Sequence, residues 1–284
     1  MTTTTRHTLV LGGRGKTGRR VAQRLTAMGQ PTRIGSRAGQ PPFDWEDAST
    51  WAPVLDGADA VYISYYPDVA APGAVEIVGA FARLAVSRDV PRLVLLSGRG
   101  EAAAEQAEQA VRESGAALTV VRSTWFAQNF SEDYMLDDVL RGEVVLPASD
   151  TPEPFVDADD IADVAVAALT DDRHVRKVYE LTGPRPLTFA EAVAEIAHAT
   201  GRDVRYVPVS IEEYTTAAIA QGVPGEVVEL LAYLFGEVLD GRNSHVTDGV
   251  SRALGRAPKD FADYARDAAA SGAWDVPVGT GVDR

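Results

Sequence analysis

The chain has 284 residues, 45% hydrophobic and 24% charged, which suits one large or two closely joined globular domains. It contains no cysteine, so disulfides, thiolate metal sites and a cysteine nucleophile are excluded. Lys and Arg number 27 against 41 Asp and Glu, and the net charge of −14 repels phosphate backbones, so nucleic acid is not an expected partner and any site for an anionic cofactor has to be locally basic.

Residues 1–7 are polar and lack the apolar stretch of a signal peptide. No apolar run reaches the roughly 20 residues that span a bilayer. No membrane association and a cytoplasmic location are therefore expected. Residues 7–11 (HTLVL) read as a buried strand. A glycine cluster follows, then a helical pattern over 16–28 with Val21, Leu25 and Met28 on one face. Residues 32–34 give a short second strand, and the aromatic, β-branched run 60–66 (AVYISYY) a buried one. A helix over 74–87, a strand over 92–97, a helix over 102–114 with Gly115 as C-cap, and a strand over 118–122 complete the alternation. Such alternation predicts an α/β fold, a Rossmann-type doubly wound parallel sheet with crossover helices on both faces.

Beyond about residue 130 the pattern loosens. A helix over 157–169 opens with acidic residues, 178–181 reads as a strand, and Thr188 with Glu191 forms a capping box. A short strand over 204–207 precedes a mostly helical remainder. No low-complexity linker, repeat or charge block interrupts the chain. The expected division is a nucleotide-binding core of residues 1–130, to which 156–183 return, and a smaller, mostly helical substrate lobe of 131–155 and 184–284.

Residues 12–18 read Gly-Gly-Arg-Gly-Lys-Thr-Gly. Gly12, Gly15 and Gly18 are spaced by three, and Gly13, Gly15 and Gly18 also satisfy G-x-G-x-x-G. Glycines here allow a sharp turn and let backbone N–H groups approach a pyrophosphate at a helix N-terminus. The cluster follows a strand and opens a helix, the context this motif requires; an ordinary strand-to-helix turn is the alternative. An NAD site usually places Asp or Glu after the second strand, on the ribose 2′-hydroxyl. Residues 30–42 contain no acid and carry Arg33 and Arg37 instead. Arg37, in Gly-Ser-Arg, suits a 2′-phosphate, and Arg14 and Lys16 add charge within the turn, so NADP(H) is the expected cofactor. Solvated surface arginines are the alternative. Gly12, Gly13, Arg14, Gly15, Lys16, Thr17, Gly18, Ser36, Arg37, Ser64, Tyr65, Ser97 and Thr124 are the expected cofactor contacts.

The turn 12–18, Phe43-Asp44-Trp45, Val94-Leu95-Leu96-Ser97, residues 122–130 (RSTWFAQNF), 155–162 (FVDADDIA) and 179–184 (YELTGP) occur in this order. Together they resemble the NmrA-like branch of the atypical short-chain dehydrogenases/reductases, over nearly the whole chain to about Asp267. The resemblance implies an NAD(P)-binding protein. The family includes quinone reductases, festuclavine dehydrogenase-like iminium reductases, isoflavone reductase relatives, and redox-sensing regulators that bind dinucleotide without turning it over. One departure is Arg14, where many relatives carry Thr or Ala.

Typical short-chain dehydrogenases protonate a carbonyl oxygen with the tyrosine of Tyr-x-x-x-Lys. Lys16, Lys177 and Lys259 are the only lysines, and none lies four residues after a tyrosine. The usual proton donor is missing, and the catalytic residue is left open with Ser97, at the end of its strand, as candidate. A serine that merely satisfies backbone is the alternative. Glu105 and Glu108 sit where a relay would be sought; Glu108 matches a glutamate common in the family, with a solvated helix face as the alternative. His7, His174, His198 and His245 lack metal-ligand spacing, so no metal is expected, and no G-x-S-x-G elbow supports a hydrolase.

Tyr65 and Tyr66 end the strand over 60–66, and Trp125, Phe126, Gln128 and Asn129 follow the strand over 118–122. Aromatics with one or two amides make a pocket for a flat, mainly apolar ligand. Tyr66, Trp125, Phe126, Asn129 and Phe155 are the expected substrate contacts; core packing at the lobe junction is the alternative. The leading reading is an NADPH-dependent oxidoreductase of a small conjugated or cationic organic substrate, quinone-like, imine or iminium, or enone, working as a monomer or homodimer. The rival is a non-catalytic NADP(H)-binding redox sensor acting through a protein partner.

Overall fold

The computed structural model describes residues 6–276. Residues 1–5 of the polar opening stretch and 277–284 of the expected lobe lie outside the described residues. The strands are β1 (His7–Leu11), β2 (Thr32–Gly35), β3 (Ala58–Ile63), β4 (Arg92–Gly98), β5 (Ala117–Ser123), β6 (Glu143–Leu146), β7 (Val178–Leu181) and β8 (Arg205–Pro208). The helices of the first half are α1 (Lys16–Ala27), α2 (Trp51–Leu55), α3 (Ala74–Ser87) and α4 (Ala102–Glu113). The short α5 (Asn129–Glu132) and α6 (Leu136–Arg141) follow, then α7 (Ala158–Thr170) and α8 (Phe189–Thr200). Last come α9 (Ile211–Ala220), α10 (Gly225–Tyr233), α11 (Gly249–Leu254) and α12 (Phe261–Ala270).

Six strands form one sheet in the order β2-β1-β3-β4-β5-β7, and every neighbouring pair is parallel. The expected doubly wound fold is therefore present, and its strand order reverses between β1 and β3. Both faces are covered, as a parallel sheet requires. Side chains alternate strictly across it. Leu9, Leu11, Val61, Ile63, Leu93 and Leu95 join α3 and α4 in one core. Val10, Tyr62, Val94 and Val121 join α1 and α7 in another. Each such buried aliphatic side chain contributes about 1.5–3 kcal/mol.

A third core gathers Phe130, Phe155, Phe189, Phe235, Phe261, Tyr264 and Trp274. It is not purely helical. β6 and β8 pair in parallel as a separate two-stranded sheet, which the sequence reading missed on the β6 side. The expected capping box is made: Thr188 accepts from the Glu191 N–H, and the Glu191 carboxylate accepts from the Thr188 N–H. The chain crosses back to the main sheet through α7 and β7. A ladder of Arg20 and Arg24 to Asp159 and Asp163 fastens α7 to α1.

Candidate functional site at the carboxyl edge of the sheet

Because all six strands are parallel, the segments following β1, β3, β4 and β5 share one edge, where ligands of such sheets bind. The turn after β1 is sterically determined. Gly12 has φ +70°, and a Cβ there would stand 2.9 Å from the Ser64 carbonyl oxygen and Cβ. A Cβ on Gly18 would collide with the Gly12 carbonyl. Gly13 faces only the Ile34 side chain, whereas Gly12 meets the Ser64 carbonyl and Gly15 and Gly18 meet the Gly12 carbonyl, so of the two overlapping glycine spacings it is Gly12, Gly15 and Gly18 that the backbone requires. The Gly15 N–H closes the turn on the Gly12 carbonyl at 2.8 Å. Buried Thr17 accepts a 2.9 Å hydrogen bond from the Tyr62 hydroxyl, seating α1 on β3. No acid stands in the first turn of α1 to oppose an anion.

The basic residues around this turn divide into two groups. Arg14 and Arg37 are exposed, with no hydrogen bond or ion pair to any described residue. Arg33 is not available as expected: its guanidinium donates to the Val54 and Asp56 carbonyls at 3.0 and 3.1 Å, clasping the end of α2. Lys16 is likewise engaged. Its ammonium donates to Asn129 Oδ1 at 2.8 Å, pairs with Asp133 and lies 5.7 Å from the Phe126 ring centroid. Lys16 thus ties the glycine turn to the segment after β5. Ser36, beside Arg37, accepts the Gly39 and Phe43 N–H groups on its carbonyl, fixing the turn after β2.

β3 ends at Ile63, short of the expected 66, so Ser64, Tyr65 and Tyr66 belong to the following loop. Tyr65 packs 5.1 Å from Trp45, whereas Tyr66 is 77% exposed. Ser97 occupies the expected strand end, but its hydroxyl is spent inward: Oγ donates to Glu108 Oε1 at 2.8 Å and the residue is buried. That corrects its role as a substrate donor. Glu108 is no solvated helix residue either, being fully buried. Burial would raise its carboxyl, but hydrogen bonds from Arg122 and Ser97 and the charge of Arg122 hold it below the usual range.

Thr124 is also turned inward, its hydroxyl donating to buried Glu153 at 2.6 Å. Trp125 and Phe126 are half-buried, and Trp125 packs 5.2 and 4.9 Å from Phe189 and Phe235 at the rim of the third core. Phe155 does not close a cleft. It lies inside that core, with ring contacts to Phe130, Phe189 and Phe261, because Val156 on the next position pairs back to Phe126 in the sheet's extension. Gln128 is committed to Asp157 and the Ala158 N–H. Among the described residues no acceptor engages the Asn129 amide nitrogen.

One pair was not singled out from the sequence. Glu101, the residue before α4, makes no cap hydrogen bond with its side chain. The carboxyl instead folds onto Gly98, where an added Cβ would overlap it. Glu101 is 6% exposed, and its Oε2 is buried without a hydrogen-bond partner. Burial pushes this carboxyl up to about 8, and the charge of Asp68, on the loop after β3, adds to the rise. Asp68 is raised by burial as well, against a hydrogen bond from the Ala70 N–H. Neither carboxyl has an ion-pair partner among the described residues. The signal in the sequence was an acid immediately after the strand-ending Ser-Gly-Arg-Gly.

Residues 102–265 match the family model described as the NmrA-like family. The uncharacterized oxidoreductase YesF of Bacillus subtilis is 32% identical over 267 residues, covering 90% of this chain and 93% of YesF. The NAD(P)H azoreductase of Xenophilus azovorans is 31% identical, covering 88% of this chain and 86% of its own. Among solved structures, the NADPH-dependent quinone oxidoreductase QOR2 of Escherichia coli, complexed with NADPH, superposes with a TM-score of 0.74 at 19% identity, over 92% of this chain and 99% of that one. No helix among the described residues is long and apolar enough to cross a membrane.

Proposed function

This chain belongs to the NmrA-like family, and we propose that it is an NADPH-dependent oxidoreductase that reduces a small conjugated or cationic organic acceptor. The observation that carries the reading is the glycine turn flanked by two arginines, Arg14 and Arg37, that no described residue engages. In a chain of net charge −14, uncommitted cations at a helix N-terminus suit a phosphorylated ligand. The residues present fit the dinucleotide. Gly12, Gly15 and Gly18 let the chain turn sharply into α1, whose N-terminal N–H groups favour a pyrophosphate, and Arg37 with Ser36 follows β2, the strand after which such sheets hold the ribose 2′ substituent.

Bound there, NADPH supplies the hydride. The chain contributes position and a partly dry edge. Lys16 holds Asn129 at the mouth of the site, and the Trp125 and Phe126 rings offer an apolar wall for a flat acceptor. Quinone-like and iminium-like acceptors suit a site without the Tyr-x-x-x-Lys pair. Hydride alone turns a quinone into a stabilised phenolate and an iminium ion into a neutral amine, so neither depends on that pair.

The names of relatives support a reductase of conjugated compounds: an azoreductase and a quinone oxidoreductase are both similar to this chain. The test is calorimetric titration with NADPH and NADH, followed by NADPH oxidation against quinone, azo, iminium and enone acceptors. NADPH binding with turnover of at least one class is the expected result. Tight NADPH binding with no oxidation by any class would favour a redox sensor instead.

A further inference from the structure

The edge of the sheet carries a buried acid that the dinucleotide site does not use. Glu101 stands at the end of the β4 segment, the place from which such sheets present groups to a ligand. Its position is built rather than incidental. Gly98 has no Cβ, and the space this leaves is filled by the Glu101 carboxyl. Gly100, at φ +74°, lets the chain turn tightly enough for Glu101 to fold back, and Arg242 and Asn243 hold that turn through the Gly100 and Arg99 carbonyls. The side chain is more than nine-tenths buried, declines the helix cap beside it, and leaves Oε2 with no partner.

The charged and titratable groups around it come from several elements. Asp68 approaches from the loop after β3, and Tyr233 of α10 feels the charges of both Glu101 and Asp68. Glu237 and Arg242 act on Tyr233 as well, but Arg242 is chelated by Asp240. Arg99 spends its guanidinium on Glu180, His245 and the Asn243 carbonyl. Among the described residues no cation pairs with either carboxyl. Two neighbouring carboxyls in a desolvated site cannot both ionise without large cost, so one keeps its proton.

Resting on the oxidoreductase reading above, we propose that Glu101, whose unpartnered carboxyl is held in the Gly98 recess at the end of β4, is the proton donor of the reaction, delivering its proton to the oxygen or nitrogen of a conjugated acceptor. For a quinone the balance is complete. The acceptor takes a hydride from NADPH and a proton from Glu101 and leaves as the hydroquinone; the dinucleotide is oxidised by two electrons; the Glu101 carboxylate regains its proton from solvent. Glu101 thus supplies the function that the absent tyrosine–lysine pair performs elsewhere, and it favours acceptors that need a proton over iminium ions, which need none.

The experiment joins a binding-independent readout to a kinetic one. Carbon-13 NMR of the protein labelled at the glutamate carboxyl carbons, without cofactor, should show one carboxyl titrating near 8, absent from Glu101→Gln. Asp68→Asn should move that midpoint down. With NADPH and a soluble benzoquinone, Glu101→Gln should lower kcat on the order of 100-fold with little change in KM. It should also flatten the alkaline fall of the rate, and Asp68→Asn should shift that fall to lower pH. A carboxyl at Glu101 titrating in the ordinary range overturns the proposal. So does an unchanged kcat in Glu101→Gln, or a rise in KM alone, which would mark Glu101 as a site for a cationic substrate. Failure of the wild type to oxidise NADPH with any acceptor would remove the oxidoreductase reading and this proposal with it, and is told apart by the unaltered NMR titration.

Discussion

The Ser97 hydroxyl and the Glu108 carboxylate meet at 2.8 Å beneath the carboxyl edge of the sheet, so the strand-end serine braces a buried charge rather than facing a ligand. Glu108 also receives Arg122 through two hydrogen bonds, at 2.6 and 2.7 Å, and Arg112 at 2.9 Å. Removing one partner of a buried pair strands the other. Glu108→Ala should therefore destabilise the fold by about 3 kcal/mol, towards the low end for buried pairs because Arg122 keeps Glu180 at 3.3 Å. Ser97→Ala should cost only about 1 kcal/mol. Urea unfolding of both variants checks this; equal costs would mean that the serine, not the ion pair, carries the cluster.

The glycine turn predicts a graded series. Gly18→Ala forces a Cβ onto the Gly12 carbonyl, backbone that cannot step aside, whereas Gly13→Ala meets side chain alone, the Ile34 Cγ2 methyl at 2.6 Å. Gly18→Ala should cost about 1–3 kcal/mol and lose NADPH binding. Gly13→Ala, where the exposed Ile34 side chain has to turn away, should cost less than Gly18→Ala and keep NADPH binding. Thermal melts with and without NADPH would show it, and equal losses at the two positions would contradict the geometry.

Much of the fold was legible because its signals are local. Apolar runs bounded by glycines located β1, β4 and β5, and the Thr188–Glu191 box marked the start of α8. β6 was not legible, since four residues with one exposed glutamate carry no period to read. The site was legible in part. The turn and Arg37 are contiguous with the strands that place them, but Arg33 and Lys16 found partners that only tertiary structure supplies. Burial of Glu108 could have been read from α4, where it shares a face with Ala104, Ala107 and Val111 at helical spacing. The Asp68–Glu101 pair could not, because it is assembled from the loops of two adjacent parallel strands.

Arg37 sets the cofactor preference in the proposed reading. It is exposed and unpaired, so its removal should leave stability nearly untouched. Arg37→Ala should weaken NADPH at least tenfold, about 1.4 kcal/mol, while NADH affinity stays within about twofold. Calorimetry at fixed ionic strength separates the two, because general charge loss would weaken both cofactors alike. Parallel weakening would assign Arg37 to the pyrophosphate rather than to a 2′-phosphate.

The buried Glu101 carboxyl also leaves a mark on stability that needs no substrate. Its folded-state value, pushed up to about 8, lies above the roughly 4.3 of an unfolded glutamate. Between those values the folded chain holds a proton that the unfolded chain releases. Stability must then fall as pH rises through that window, by up to about 1.4 kcal/mol per pH unit for one proton, and level off above the folded value. The raised Asp68 carboxyl acts in the same direction, whereas Glu108, held low by its arginines, contributes stability that is lost only in acid. Glu101→Gln has no proton to lose, so its stability relative to wild type should improve steadily from about pH 5 to about pH 8. Gly98→Ala should push the carboxyl out of its recess and reduce the same slope, since the methyl takes the space that the carboxyl fills. Urea midpoints for the three proteins across this range decide the matter. A constant difference between wild type and Glu101→Gln would mean that Glu101 is ionised in the folded protein at neutral pH, and the buried acid would not be there to donate.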